Sequence, residues 1–156
     1  MTNLPADARV WVYQADQPFN PADREEIQAA LQRFAREWVS HNRQLHADGA
    51  LLHDRFVVLV VDETQADASG CSIDSSVAFL KSLGARYHRD LFDRMRFSYE
   101  QDGQVYTVSR DKFEHLYAEG LINDETIVFD PLVKTRGELE TSFRKPLGES
   151  WHQRFV

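Results

Sequence analysis

The sequence predicts an α+β fold: a mixed sheet of about five strands flanked by helices, a count that rests on periodicity alone. Three features carry this. "RFVVLVVD" (Arg55 to Asp62) is continuously apolar, the pattern of a strand covered on both faces. Amphipathic helical patterns stand on either side of it, and Asp102-Gly103 divides two alternating stretches, a strong hairpin signal. The predicted order is β-α-β-α-β-β-α-β-α.

The first strand is "ARVWVYQA" (Ala8 to Ala15), in which β-branched and aromatic residues alternate. A helix follows, with Asn20 as its N-cap and Pro21 at the first helical position, where the missing N–H costs nothing. Ile27, Ala30, Leu31, Phe34 and Trp38 recur at three- and four-residue spacings and form its apolar face. Beyond the central strand, Ile73, Val77, Leu80, Gly84 and Tyr87 trace a second helix. Because helices lead into and out of the central strand, a parallel pair is expected beside the antiparallel hairpin.

The hairpin is "MRFSYEQDGQVYTVS". After it, "RDKFEHLYAEG" reads as a short helix with Phe113, Leu116 and Tyr117 inward and Gly120 as its C-cap. "ETIVFDP" is a strand halted by Pro131. Thr135 and Glu138 stand at capping-box spacing and start a last helix, and Trp151 and Phe155 dock the tail. Trp11, Tyr13, Trp38 and Trp151 are assigned to packing, the usual role of aromatics at such spacings.

At 156 residues the chain fits one domain that buries roughly 70% of the surface its unfolded form exposes. The net charge of −7, from 25 acidic and 18 basic residues, repels phosphate backbones, so nucleic acid is not an expected partner. The longest apolar run is far shorter than the roughly 20 residues of a membrane helix, and no membrane partner is expected. A single cysteine and the lack of a leader-like N-terminus make the cytoplasm the expected location. No cofactor is called for, and a homodimer is compatible with the size.

"RVWVYQADQPF", "VVDETQADASGCSIDSSVAFLKSLG", "LFDRM", "TIVFDPLVKTRGELE" and "SWHQRF" together resemble a family of small uncharacterised bacterial proteins, frequent in the Bacteroidetes and their relatives. Members often carry the label of an ABC transporter ATPase. The residues do not support that label. A phosphate loop needs G-x-x-x-x-G-K-[ST], whereas Gly70 here is followed by Cys71-Ser72 and Gly84 by Ala85-Arg86. The resemblance implies a bacterial, cytosolic protein and brings no reaction with it.

The loop from Asp62 to Asp74 is where chemistry or binding is expected. Asp62 and Glu63 end the central strand, and in open α/β sheets ligands gather beyond such ends. Ser69, Gly70, Cys71 and Ser72 lead into the next helix, whose free amides favour an anion. Asp74 near the first turn opposes a thiolate at Cys71. Three readings stand side by side. Ser72 or Asp74 is an N-cap and Cys71 packs as a small hydrophobe; or Asp62, Glu63, Ser69, Gly70, Ser72 and Asp74 bind a small anionic ligand; or Cys71 is a nucleophile with His152, in the tail, as its base.

Metal ligation is not expected. His41, His46 and His53 match no zinc spacing, and the loop carboxylates match no calcium loop. The favoured expectation is a small anionic ligand at Ser69 to Asp74. A cysteine-dependent enzyme, and an interaction or assembly protein without a small-molecule site, are the alternatives.

Overall fold

A computed structural model describes residues 3–64 and 66–156. In chain order the first half contains β1 (Arg9–Gln14), α1 (Arg24–Glu37), a minimal hairpin of β2 (Val39–Ser40) and β3 (Arg43–Gln44), β4 (His46–Leu52), β5 (Phe56–Asp62) and α2 (Gly70–Tyr87). The second half contains β6 (Arg96–Gln101), β7 (Gln104–Ser109), α3 (Arg110–Ala118), β8 (Ile127–Phe129), α4 (Arg136–Thr141) and β9 (Arg144–Pro146). Two short 3-10 turns, Leu147–Glu149 and Trp151–Phe155, end the chain.

The strands form two principal sheets, ordered β1-β5-β4 and β7-β6-β8-β9, with β2-β3 apart. β5 is central in the first, as its unbroken apolar run requires, and all seven of its residues are buried. Its odd-numbered side chains Val57, Leu59 and Val61 join a core with Ile27 and Leu31 of α1 and Leu80 of α2. Its even-numbered side chains Phe56, Val58 and Val60 meet Phe129 and Phe143 from the second sheet's side. Phe97 and Val128 of the second sheet turn away from the first, onto Phe113 and Leu116 of α3. The result is four layers, helix, sheet, sheet, helix, around three hydrophobic clusters.

The α+β class is as expected, but the single mixed sheet with a parallel pair is not: every pairing of named strands is antiparallel. The cause is β4. It lies between α1 and β5 in sequence and reverses the chain, so β5 returns antiparallel to β1. "HADGALL" gives little strand signal, and its three-residue link to β5, His53 to Arg55 between the paired Leu52 and Phe56, opens with His53-Asp54, an unfamiliar pair for a tight turn. Both residues nonetheless adopt positive φ (51° and 56°), as a type I′ turn demands. His41-Asn42 make the same turn between β2 and β3, and Asp102-Gly103 the expected one between β6 and β7.

Thr135 and Glu138 form the expected reciprocal box. Asn20 accepts from Ala22 N–H at 3.0 Å, but it caps a short 3-10 turn, Pro21–Asp23, and α1 begins only after that turn, with Asp23 as its N-cap. α2 differs from expectation: its N-cap is Ser69, not Ser72 or Asp74, and Ser69 and Ser72 cap each other's amides.

The sheets are also joined by polar groups. Gln14 Nε2 on β1 donates to the Arg96 carbonyl at 2.7 Å, while Ser98 Oγ on β6 donates to Gln14 Oε1 at 2.7 Å. Both side chains are buried and paired, so the bridge fixes how the layers lie against each other without leaving an orphaned amide.

Candidate functional site

The structure gives the residues of the Asp62 to Asp74 loop largely local tasks. Asp62 Oδ1 accepts from the amide of Thr64 at 3.0 Å and its hydroxyl at 2.7 Å, and His46 Nδ1 lies 3.3 Å from Oδ2. The Thr64 hydroxyl, then its amide, holds the Asp62 carboxyl below the usual range. Glu63 Oε2 accepts from Ala68 N–H at 2.9 Å. These carboxylates shape a turn.

Ser69 N–H donates to Ser72 Oγ at 2.7 Å, and Ser72 N–H donates to Ser69 Oγ at 3.2 Å. Two of the amides expected to receive an anion are therefore already occupied by the capping box. Gly70, Cys71 and Asp74 are exposed on the first turn of α2. Beside the loop lies a cavity of about 360 Å³ lined by Ser40, His41, Arg43, Asp67 and Ser69.

Cys71 and His152 are not brought together. His152 is only 1% exposed and lies in the second sheet's outer core, stacked on Trp151 with ring centroids 3.9 Å apart and packed against Phe97 and Phe113. Its Nδ1 is 2.6 Å from Ser150 Oγ. Burial pushes its pKa down to about 4, and Asp130 opposes this only in part. A sequence places the tail beside the loop as readily as anywhere; the apolar character of Trp151 and Phe155 sends it instead to the aromatic surface of β6 and α3. No group of three or more metal-ligating side chains occurs among the described residues.

A second concavity lies elsewhere, between β1 and the second sheet. Two adjoining cavities of about 310 and 330 Å³ share the walls Val12, Tyr13, Arg94, Pro131 and Leu132. This is the lower end of the size range of ligand pockets, roughly 300–1,000 Å³. Each wall is held for a physical reason. β1 supplies the floor. The segment before β6 is folded by aspartates: Asp90 Oδ1 accepts from Phe92 N–H at 2.8 Å, and Asp93 Oδ1 from Met95 N–H at 2.9 Å. Pro131 ends β8 and turns the chain along the opposite rim.

The remaining wall is the C-terminal turn, Trp151, Arg154 and Phe155. It is anchored by Asp130, whose Oδ1 accepts from Trp151 Nε1 at 2.8 Å and from Leu132 N–H at 2.9 Å, and whose Oδ2 accepts from Lys145 Nζ at 2.8 Å. Burial pushes the Asp130 carboxyl up, but the bonds from Lys145, Trp151 and Leu132 together outweigh it and leave it below its usual value.

The groove joins an apolar surface to positive charge. Tyr13 and Phe92 meet edge to face at 5.5 Å, and Trp151 and Phe155 stand at 6.1 Å. Burial raises the Tyr13 pKa, against the lowering effect of Arg94, so its hydroxyl is neutral at physiological pH. Asp93 is the single carboxylate among the lining residues, and Arg96 already holds it at 3.3 Å. Arg94 and Arg154 have no carboxylate partner among the described residues, and both are exposed. This is a basic locality in a chain of net charge −7.

Sequence reasoning missed this groove, having assigned Tyr13 and Trp151 to packing. Tyr13, Arg94, Leu132 and Trp151 are widely separated in sequence, and no local pattern joins them. No family model, curated protein or solved structure matches this chain. No helix of the described residues is long and apolar enough to cross a membrane.

Proposed function

We propose that the protein belongs to the class of non-enzymatic binding proteins, with its site in the groove between the two sheets. Its ligand, in this reading, is a small anion with an apolar body, such as an aryl or alkyl carboxylate, and the protein works in a bacterial cytoplasm. The observation that carries the reading is the pair Arg94 and Arg154, free of carboxylate partners among the described residues and set beside Tyr13, Phe92, Trp151 and Phe155.

An apolar body gains by leaving water against aromatic walls, at about 25 cal/mol per Å². A carboxylate at a half-open rim keeps part of its hydration and gains charge-assisted hydrogen bonds from guanidinium groups, which present paired donors. The anionic character expected for the ligand is retained, but its location moves from the Ser69 to Asp74 loop, where the capping box competes for the amides.

The test is a titration with 3-phenylpropionate and with 3-phenylpropylamine, which share the apolar body and differ in charge. The carboxylate is expected to shift the indole signal of Trp151 and the backbone signals of Tyr13 and Arg94, and the amine to leave them in place. Equal responses, or none, would refute the reading.

A further inference from the structure

We propose that the groove takes an extended acidic peptide, which pairs as a fourth strand with the open outer edge of β1 at Val12 and Gln14. The proposal rests on the groove reading above and narrows it to a ligand class.

Backbone groups along β1 face two ways. Ala15 N–H donates to the Arg55 carbonyl at 2.8 Å, continuing the pairing with β5, whereas Val10 N–H donates away from β5, to the Lys134 carbonyl at 2.9 Å. Backbone N–H and C=O groups alternate sides along an antiparallel strand, so Val12 and Gln14 point outward as Val10 does. The outward edge is closed at both ends. Arg136 N–H donates to the Ala8 carbonyl at 2.9 Å, and Asp16 N–H to the Asp90 carbonyl at 3.0 Å. Between these closures the backbone groups of Val12 and Gln14 have no partner among the described residues.

That gap is the floor of the groove: Val12 lines both cavities, and Gln14 lines the one of about 310 Å³ that also holds Phe92 and Trp151. Exposed edges are normally blunted or covered, because an unpaired row of donors and acceptors recruits another strand. From Val10 to Gln14 the open edge spans about 13 Å at roughly 3.3 Å per residue, room for a peptide of about four residues. A strand laid there satisfies the idle backbone groups, places alternate side chains against Phe92 and Trp151, and brings acidic side chains to Arg94 and Arg154. A second copy of this chain is a poor occupant, since edge-to-edge pairing about Val12 brings the two copies' Arg94 side chains toward each other.

The experiment uses the full chain, labelled for amide exchange, and three probes: acetyl-Glu-Val-Glu-Val-Glu-amide, the same peptide N-methylated at alternate residues, and its lysine-for-glutamate counterpart. The first peptide is expected to slow exchange of the Val12 and Gln14 amides. N-methylation and charge reversal are each expected to weaken binding about tenfold or more, because the first removes backbone hydrogen bonds and the second removes charge-assisted ones. Equal binding of the N-methylated peptide, or unchanged exchange at Val12 and Gln14, overturns strand addition. So does a dimer of the free protein that protects these amides. If 3-phenylpropionate still binds in those cases, the groove reading survives and only the peptide assignment fails; if nothing binds, both fail.

Discussion

The indole Nε1 of Trp151 donates to Oδ1 of Asp130 at 2.8 Å, tying the C-terminal turn to the end of β8. One wall of the groove, with Arg154 and Phe155, hangs on this bond and on the packing of Trp151 against Phe97. Asp130 is 6% exposed, so a missing donor leaves a carboxylate short of a partner in a place water barely reaches. Trp151→Phe is expected to cost roughly 1.5–3 kcal/mol, the range for a hydrogen bond to a charged group. Urea unfolding measures this, and an unchanged midpoint would mean the turn is held by other interactions.

His152 makes stability depend on acid. Its folded pKa is pushed down to about 4, from an ordinary value near 6.5 in the unfolded chain. Between these values the unfolded chain binds a proton that the folded chain does not, so stability falls as the pH drops from about 6.5 to about 4 and is unaffected above. The full effect is roughly 3 kcal/mol at about 1.4 kcal/mol per pH unit. His152→Gln is expected to flatten this portion of the pH profile, whatever it does to the baseline; an unaltered slope would assign the acid loss to other groups.

Gly84 lies where α2 meets the chain that leaves it. A Cβ placed there comes within 2.5 Å of the Arg89 carbonyl oxygen, whose residue donates its own N–H to the Gly84 carbonyl at 2.8 Å. Since the crowding atom is backbone, Gly84→Ala is expected to destabilise by about 1–3 kcal/mol despite the better helix propensity of alanine. Gly70→Ala, with open space around its Cβ, is expected to be neutral or mildly stabilising. Thermal melts of the two variants separate these outcomes.

Cys71 is exposed and outside the groove. The native protein is therefore expected to react with a maleimide as fast as its unfolded form, within a fewfold. Cys71→Ser is expected to leave 3-phenylpropionate binding unchanged. Loss of binding in this variant would move the site back to the α2 loop.

Much of the fold was legible because burial writes itself into local pattern. The unbroken run of β5, the three- and four-residue spacing of Ile27, Leu31 and Phe34, and the Thr135-Glu138 box each state a local preference that the tertiary structure keeps. β4 was hidden, since Gly49 and the polar residues around it suit a strand only because α1 packs closely on it: a Cβ at Gly49 lies 3.1 Å from the Leu31 carbonyl oxygen. The groove was hidden for a different reason. Tyr13, Arg94, Leu132 and Trp151 are far apart in sequence and individually ordinary, and only the packing of two sheets makes them neighbours. The polar residues of the Asp62 to Asp74 loop are contiguous in sequence, and contiguity there reflects turn and cap formation.

In the proposed function, Arg94 and Arg154 receive an anion in the groove. The most direct measurement is the affinity for 3-phenylpropionate of the Arg94→Glu, Arg154→Glu double variant against the unaltered protein, by calorimetry at matched ionic strength. Both side chains are exposed, so the variant is expected to fold and melt as the parent does. Binding is expected to be at least about a hundredfold weaker, because two guanidinium donors that attract the carboxylate are replaced by two carboxylates that repel it. Unchanged affinity in a folded double variant would contradict the proposed function.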